Sequence, residues 1–209
     1  MATTTTKRDT GRRAELVRLG VAILTEKGFY NFSLDELVAL AGVPKGSFHY
    51  YFSSKDAYAV EVIQAYGDYF SKKLETHLTN STLSPLERIK AFTEDAARGM
   101  QRHKFKRGCV VGNLSQELAA LDETFRKALL DVLEDWRNRV RACLEEGKRV
   151  GEIREDADTV VLARYFWNAW EGAVMCSKLE KSRQPLDDAS AAFLAHVACS
   201  NGHKFPMPI

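Results

Sequence analysis

Residues 33–57, SLDELVALAGVPKGSFHYYFSSKDA, read as a short helix, a tight turn and a second short helix. Ser33 stands three residues before Glu36, the spacing at which a hydroxyl and a carboxylate reciprocally satisfy the orphan amides of a helix start. The helix it opens carries Leu34, Leu37, Val38 and Leu40 and meets Ala41 and Gly42, small residues suited to a turn. Pro44 then takes the first position of a new helix, where its missing amide costs nothing. From there KGSFHYYF gives barely two turns before Ser53 and Ser54, and Ser54 ahead of Lys55 and Asp56 starts a further helix by the same capping logic. Phe48 and Phe52, four apart, share the inner face of the second short helix, which leaves Lys45, Ser47, His49 and Tyr50 on or near its outer face. Gly46 removes a side chain at the helix start, where backbone must come closest to a bound phosphate. A tight turn followed by a short helix rich in small and hydrogen-bonding groups is what a helix-turn-helix offers to the major groove.

Outward from this stretch the chain stays helical. Upstream, Leu16, Leu19, Ile23 and Leu24 recur at helical spacing until Gly28, and Lys7, Arg8, Arg12 and Arg13 precede or open that helix. Thr3 to Thr6 read as part of a disordered arm. The expected organisation is a basic arm over 1–9, a helix-turn-helix DNA-binding domain over 10–58 and a further helical domain over 59–209, for which a resemblance to a known family implies ligand binding and dimerisation. Amphipathic periodicity predicts helices over about 54–79, 85–103, 113–120, 123–149, 157–180 and 187–200. Ser84 with Pro85, Asp122, and Gly147 with Gly151 supply the punctuation. No strand pattern is present, so the fold class is all-α.

Bulk properties exclude several classes. The 209 residues can bury a proper core, and 45% hydrophobic with 28% charged residues is ordinary for a globular chain rather than a disordered or fibrous one. No apolar run reaches the roughly 18–20 residues of a membrane span, and residues 1–13 hold no apolar segment behind their charges, which predicts a cytoplasmic protein. Cys109, Cys143, Cys176 and Cys199 show no zinc-type spacing, so reduced thiols and no cofactor are expected. A net charge of +2 is too small for the whole protein's field to attract nucleic acid, so local placement must do so. With no Gly-rich phosphate loop, metal-ligand cluster or nucleophile triad, an enzyme is not expected. The rival readings are a small helical enzyme, which those missing motifs disfavour, and a helical adaptor that binds only protein, against which the segment 33–57 argues.

Three segments, TEKGF at 25–29, SLDEL at 33–37 and GVPKGSFHYYFSSKDA at 42–57, together resemble the DNA-binding domain of the tetracycline-repressor family, over about residues 10–60. The resemblance implies that Lys45, Gly46, Ser47, His49 and Tyr50 face DNA while Ser33 and Lys55 hold phosphates, with Tyr51 an additional contact. The chain departs from the usual pattern in placing His49 before Tyr50 rather than after a tyrosine, which leaves open which of them meets phosphate. Phosphate contacts position such a protein and a few base-edge contacts give it sequence preference.

Farther along, residues 100–129 (MQRHKFKRGCVVGNLSQELAALDETFRKAL) and 166–180 (FWNAWEGAVMCSKLE) resemble the acrylate-utilisation repressors of that family. The same Gly-Cys context is similar, less closely, to the repressors of N-ethylmaleimide reductase. The resemblance implies a small effector, acrylate-like or electrophilic, sensed near Cys109. On the residues themselves two readings of Cys109 stand. Arg102, His103, Lys104, Lys106 and Arg107 precede it and favour a reactive thiolate, or it packs as a small apolar residue beside Gly108. Tyr66, Phe70, Trp136, Phe166, Trp167 and Trp170 form either a pocket wall or core, and Asn113 and Glu171 either orient a polar ligand or cap and solvate.

The last two helices mix small and large apolar residues, Tyr165 to Val174 and Ala191 to Ala198. The family resemblance implies that they build a four-helix interface between two copies, and a two-fold dimer matches a palindromic operator. The expected partners are double-stranded operator DNA, a small-molecule effector and a second copy, with no membrane. An unrelated hydrophobic effector, and activation in place of repression, fit the sequence as well.

Overall fold

A computed structural model describes residues 3–199 of the chain, with side chains from residue 11 onward. The helices are α1 (Thr3–Lys27), α2 (Leu34–Leu40), α3 (Phe48–Tyr51), α4 (Lys55–Leu78), α5 (Pro85–Arg102), α6 (Val110–Leu118), α7 (Glu123–Arg149), α8 (Thr159–Glu180) and α9 (Gln184–Val197), with a 3-10 turn at Lys45–Ser47 just before α3. Among the described residues extended pairing is limited to one antiparallel bridge, Ile153 with Ala198. The backbone of α1 is helical from Thr3; the side chains of residues 1–10, on which the basic arm is read, lie outside the described residues.

The chain divides into two compact units, Met1–Lys72 with His103–Asp135, and Lys73–Arg102 with Trp136–Ile209, so that α4 and α7 each contribute to both. In the first unit, Phe48 and Phe52 pack at 5.3 Å between ring centres, and Tyr58 of α4 meets both rings while stacking on Phe32. The Tyr58 hydroxyl donates to the Leu16 carbonyl at 2.7 Å, deep enough that burial pushes the phenol well above its ordinary range. Gly20 makes that contact possible, since a Cβ there would lie 2.1 Å from the Tyr58 oxygen. The second unit gathers Phe92, Trp136, Phe166, Trp167, Trp170 and Phe193, all buried, with Trp136 and Trp167 at 5.0 Å.

Local chemistry sets the helix ends. Ser33 accepts from the Glu36 amide at 3.4 Å, while the Glu36 carboxylate goes to Lys27 at 2.6 Å instead of turning back. At α5 the reciprocal arrangement forms in full, with Ser84 accepting from the Glu87 amide and Glu87 accepting from the Ser84 amide at 2.9 Å. Asp122 and Asp158 cap α7 and α8. α6 starts three residues before the periodicity places it, because Cys109 takes the extended N-cap conformation and Val110 and Val111 are buried. α9 starts earlier as well, with Pro185 accepted in its first turn, and ends at Val197 because Ala198 pairs with Ile153.

Candidate nucleic-acid interface and effector region

The turn after α2 needs Gly42, whose φ of +62° lies in the left-handed region, and the Val43 amide closes it onto the Val38 carbonyl at 3.0 Å. The second helix of the motif is tighter than expected, a 3-10 turn followed by a single α turn. Burial of Phe48 and Phe52 fixes its orientation. Lys45, Gly46 and His49 are exposed, Ser47 is half-buried, and Tyr50 keeps 70% of its surface in solvent. Lys45 pairs with Asp35 of α2 at 2.9 Å, both side chains in solvent. A Cβ at Gly46 would meet nothing within 4 Å, so no internal contact requires glycine there. Ser33 is exposed at the start of α2.

Lys55 sits differently from its neighbours in the motif. Its Nζ donates to the Phe29 carbonyl at 3.1 Å and lies 4.3 Å over the Phe29 ring and 5.2 Å from that of Phe32. Tyr51 is half-buried, with its carbonyl accepting from Arg13 at 3.5 Å.

The residues expected near an effector are distributed over both units. In the first, Tyr66 and Phe70 of α4 pack at 5.1 Å. Cys109 is buried at the start of α6, and Asn113, one turn later, gives its amide to the Leu24 and Thr25 carbonyls at 3.1 Å each. Arg107 is turned to Glu26 at 3.8 Å, whereas Arg102, Lys104 and Lys106 are exposed. In the second unit Trp167 and Trp170 are buried beside Phe92, and Glu171 is half-buried.

Two features of that unit carry no sequence signal. Asp95 meets Lys73 at 2.9 Å, His77 at 3.2 Å and Arg98 at 3.8 Å; burial raises its carboxyl, but the bonds from Lys73 and His77 outweigh that and hold it below the usual range. His77 lies edge-on to Phe92, which joins this charged group to the indoles. The second feature is a cleft of about 190 Å³ lined by Lys90, Thr93, Arg183, Asp187 and Ser190, which contains none of the expected effector residues.

Residues 16–62 match bacterial regulatory proteins of the tetR family, and residues 85–193 match the tetracyclin repressor-like C-terminal domain. The chain belongs to the tetracycline-repressor family. It is 43% identical over 181 residues to Transcriptional regulator AcuR of Cereibacter sphaeroides, covering 87% of this chain and 83% of that protein. HTH-type transcriptional repressor NemR of Escherichia coli is 29% identical over 192 residues, covering 92% and 94%. The crystal structure of regulatory protein TetR from Rhodobacter sphaeroides superposes with a TM-score of 0.85 at 42% identity, covering 88% of this chain and 98% of that one. The all-helical fold with an N-terminal helix-turn-helix is therefore that of a DNA-binding transcriptional regulator. Among the described residues no helix is long and apolar enough to cross a membrane.

Proposed function

We propose that the chain is a cytoplasmic repressor that binds a palindromic operator as a homodimer and leaves it when a small, unsaturated, acrylate-like effector is present. Residues 10–58 read the DNA, and residues 59–209 bind the effector and the second copy. The observation that carries the DNA half is the outward face of the recognition turn: His49, Tyr50 and Lys45 stand in solvent while Phe48 and Phe52 anchor them from behind. Gly46 supports it, because with no internal neighbour the reason for a bare backbone lies outside the chain, in the approach of a phosphate.

The effector half draws on the similarity to AcuR and on the charge of the second unit. Lys73 and Arg98, the latter shared between Asp95 and Glu94, stand with His77 beside the Phe92 ring, a polar and aromatic setting that suits a small carboxylate. The Trp167 indole N–H is buried without an acceptor, a donor that a bound carboxylate oxygen can use. Fluorescence anisotropy on DNA upstream of the chain's own gene tests both halves. Acrylate should raise the dissociation constant, and propionate, its saturated analogue, should not. A folded protein that ignores the DNA removes the first half, and binding that ignores acrylate removes the second.

Sensing is either reversible or covalent, and Cys109→Ser separates the two. In the covalent case the Cys109 sulfur bonds to the β-carbon of the alkene, the double bond becomes single and the thiol proton ends on the α-carbon; the serine variant then stays on DNA, and mass spectrometry finds the adduct in the parent. Cys143 serves as an internal control. Burial pushes its thiol up to about 12 and it donates to the Pro85 carbonyl at 3.3 Å, so it stays unmodified in the folded protein.

For the dimer, α8 presents Val161, Tyr165, Asn168, Gly172, Met175 and Leu179 at alternating steps of four and three, a continuous outward stripe. Trp167, Trp170, Ala173 and Val174, which the sequence groups with that surface, are buried within the protomer. Met175, 58% exposed, is therefore the position to charge. Met175→Asp is expected to weaken dimerisation at least about tenfold, roughly 1.5 kcal/mol or more, in sedimentation equilibrium, with unchanged helical content by circular dichroism. A parent protein that sediments as a monomer at micromolar concentration removes the homodimer.

A further inference from the structure

Polar groups of α6 hold the last turn of α1 and the bend that follows it. The Gly108 amide donates to the Thr25 carbonyl at 2.9 Å, and the Asn113 amide reaches the Leu24 and Thr25 carbonyls. A single carboxylate oxygen, Glu117 Oε2, accepts both the Phe29 amide at 2.8 Å and the Tyr30 amide at 3.0 Å. Carbonyls and amides that a helix end normally leaves to water are thus taken by side chains 88 or so positions away in the chain. Gly28, at φ +75°, permits the approach, since a Cβ there would lie 1.8 Å from Glu117 Oε1. Phe29 is then gripped twice, on its amide by Glu117 and on its carbonyl by Lys55, the first residue of α4.

We propose that Glu117 and Asn113 are positioning residues for operator binding: Glu117 fixes Phe29, Asn113 fixes the turn of α1 that leads to it, and the two thereby fix the place from which Lys55 addresses a DNA phosphate. Packing α6 on α1 needs only its apolar side, where Val110, Val111 and Leu114 are buried. The polar bonds do something else, which is to choose one conformation of the bend between α1 and α2. Released from Glu117, the bend and the Lys55 ammonium gain conformations that binding must then freeze, and affinity falls. The inference rests on the DNA-binding role of Lys55 and is independent of any effector.

The test uses the full chain and an upstream duplex to which the parent binds, so that a parent without DNA affinity reports on the earlier reading and not on this one. Dissociation constants are measured by anisotropy from about 50 to 200 mM salt, well below the melting temperature of each variant. Glu117→Leu, which loses both bonds, is expected to bind about tenfold more weakly throughout that range with the parent's salt slope, since Lys55 still neutralises its phosphate once bound, whereas Lys55→Ala flattens the slope by roughly one unit per subunit. Glu117→Gln, whose amide oxygen can take both donors, should bind as the parent does, within about 1.5-fold. Combining Glu117→Leu with Lys55→Ala should add little to Lys55→Ala alone, because both act on one contact. A folded Glu117→Leu with the parent's affinity overturns the proposal, as do losses from Glu117→Leu and Lys55→Ala that multiply independently. If Glu117→Leu does not fold, Asn113→Ser carries the test: about threefold weaker binding supports the proposal, and parent-like binding overturns it.

Discussion

Replacing His49 and Tyr50 together by alanine is expected to abolish specific operator binding while the chain stays folded. Both side chains stand in solvent on the recognition turn, whose fold is held by Phe48 and Phe52 against Tyr58 and Phe32. A hydrogen bond to a base edge or a phosphate is worth about 1–3 kcal/mol, so removing two from each of two subunits costs at least about 4 kcal/mol, or roughly a thousandfold in the dissociation constant. Anisotropy on the upstream duplex with and without unrelated competitor DNA reads the loss, and an unchanged melting curve shows that the fold is intact. Parent-like affinity in the folded double variant would remove this face as the interface. Lys55→Ala is a less clean probe. Its ammonium is bound to the Phe29 carbonyl and stacked on Phe29, so affinity and stability should fall together.

The second large effect concerns the fold. Arg88 is buried in the second unit, where its guanidinium donates to the carbonyls of Asn80 at 2.7 Å, Leu83 at 2.9 Å and Leu78 at 3.4 Å and to the Glu146 carboxylate at 2.8 Å. One side chain thus closes the end of α4, the loop to α5 and the side of α7. Arg88→Ala takes this donor from the Leu78 and Leu83 carbonyls and the cation from Glu146, while the Asn80 carbonyl keeps the Leu83 amide and Glu146 keeps some solvent, and it is expected to cost about 2–4 kcal/mol. For a chain of this size that lowers the melting temperature by about 10 °C in a thermal scan. Arg88→Lys should recover only part of it, because an ammonium lacks the planar fork that reaches several acceptors at once. A shift of less than about 2 °C for Arg88→Ala would show that the loop holds itself.

Much of the architecture is legible in the chain because it is written in local terms. Ser33, Ser54, Ser84 and Asp122 announce helix starts through groups a few residues away, and Gly28 and Gly42 announce ends through a backbone conformation that few other residues adopt. The recognition turn is legible for the same reason: Phe48 and Phe52 recur at helical spacing, so the outward set of Lys45, Ser47, His49 and Tyr50 follows without knowledge of what the phenylalanines touch. Where the spacing misled, a distant partner had intervened. α9 ends at Val197 because Ala198 pairs with Ile153, and the apolar residues of α8 sort into a buried set and an exposed stripe only once the rest of the second unit is in place.

The sequence by itself determined the all-helical class and the helix-turn-helix with its outward residues, since both rest on capping, periodicity and spacing within about 25 residues, and its motifs carried the resemblance to the family. Only the tertiary structure decided what the polar side chains of the interior do. Asn113 and Glu117 reach the end of α1, Lys55 folds onto Phe29, Arg88 closes a loop, and Asp95 gathers Lys73, His77 and Arg98. A side chain's hydrogen-bonding capacity is fixed by its type, but its partner is whichever unsatisfied group the packing of apolar faces brings within about 3 Å, often from the far end of the chain.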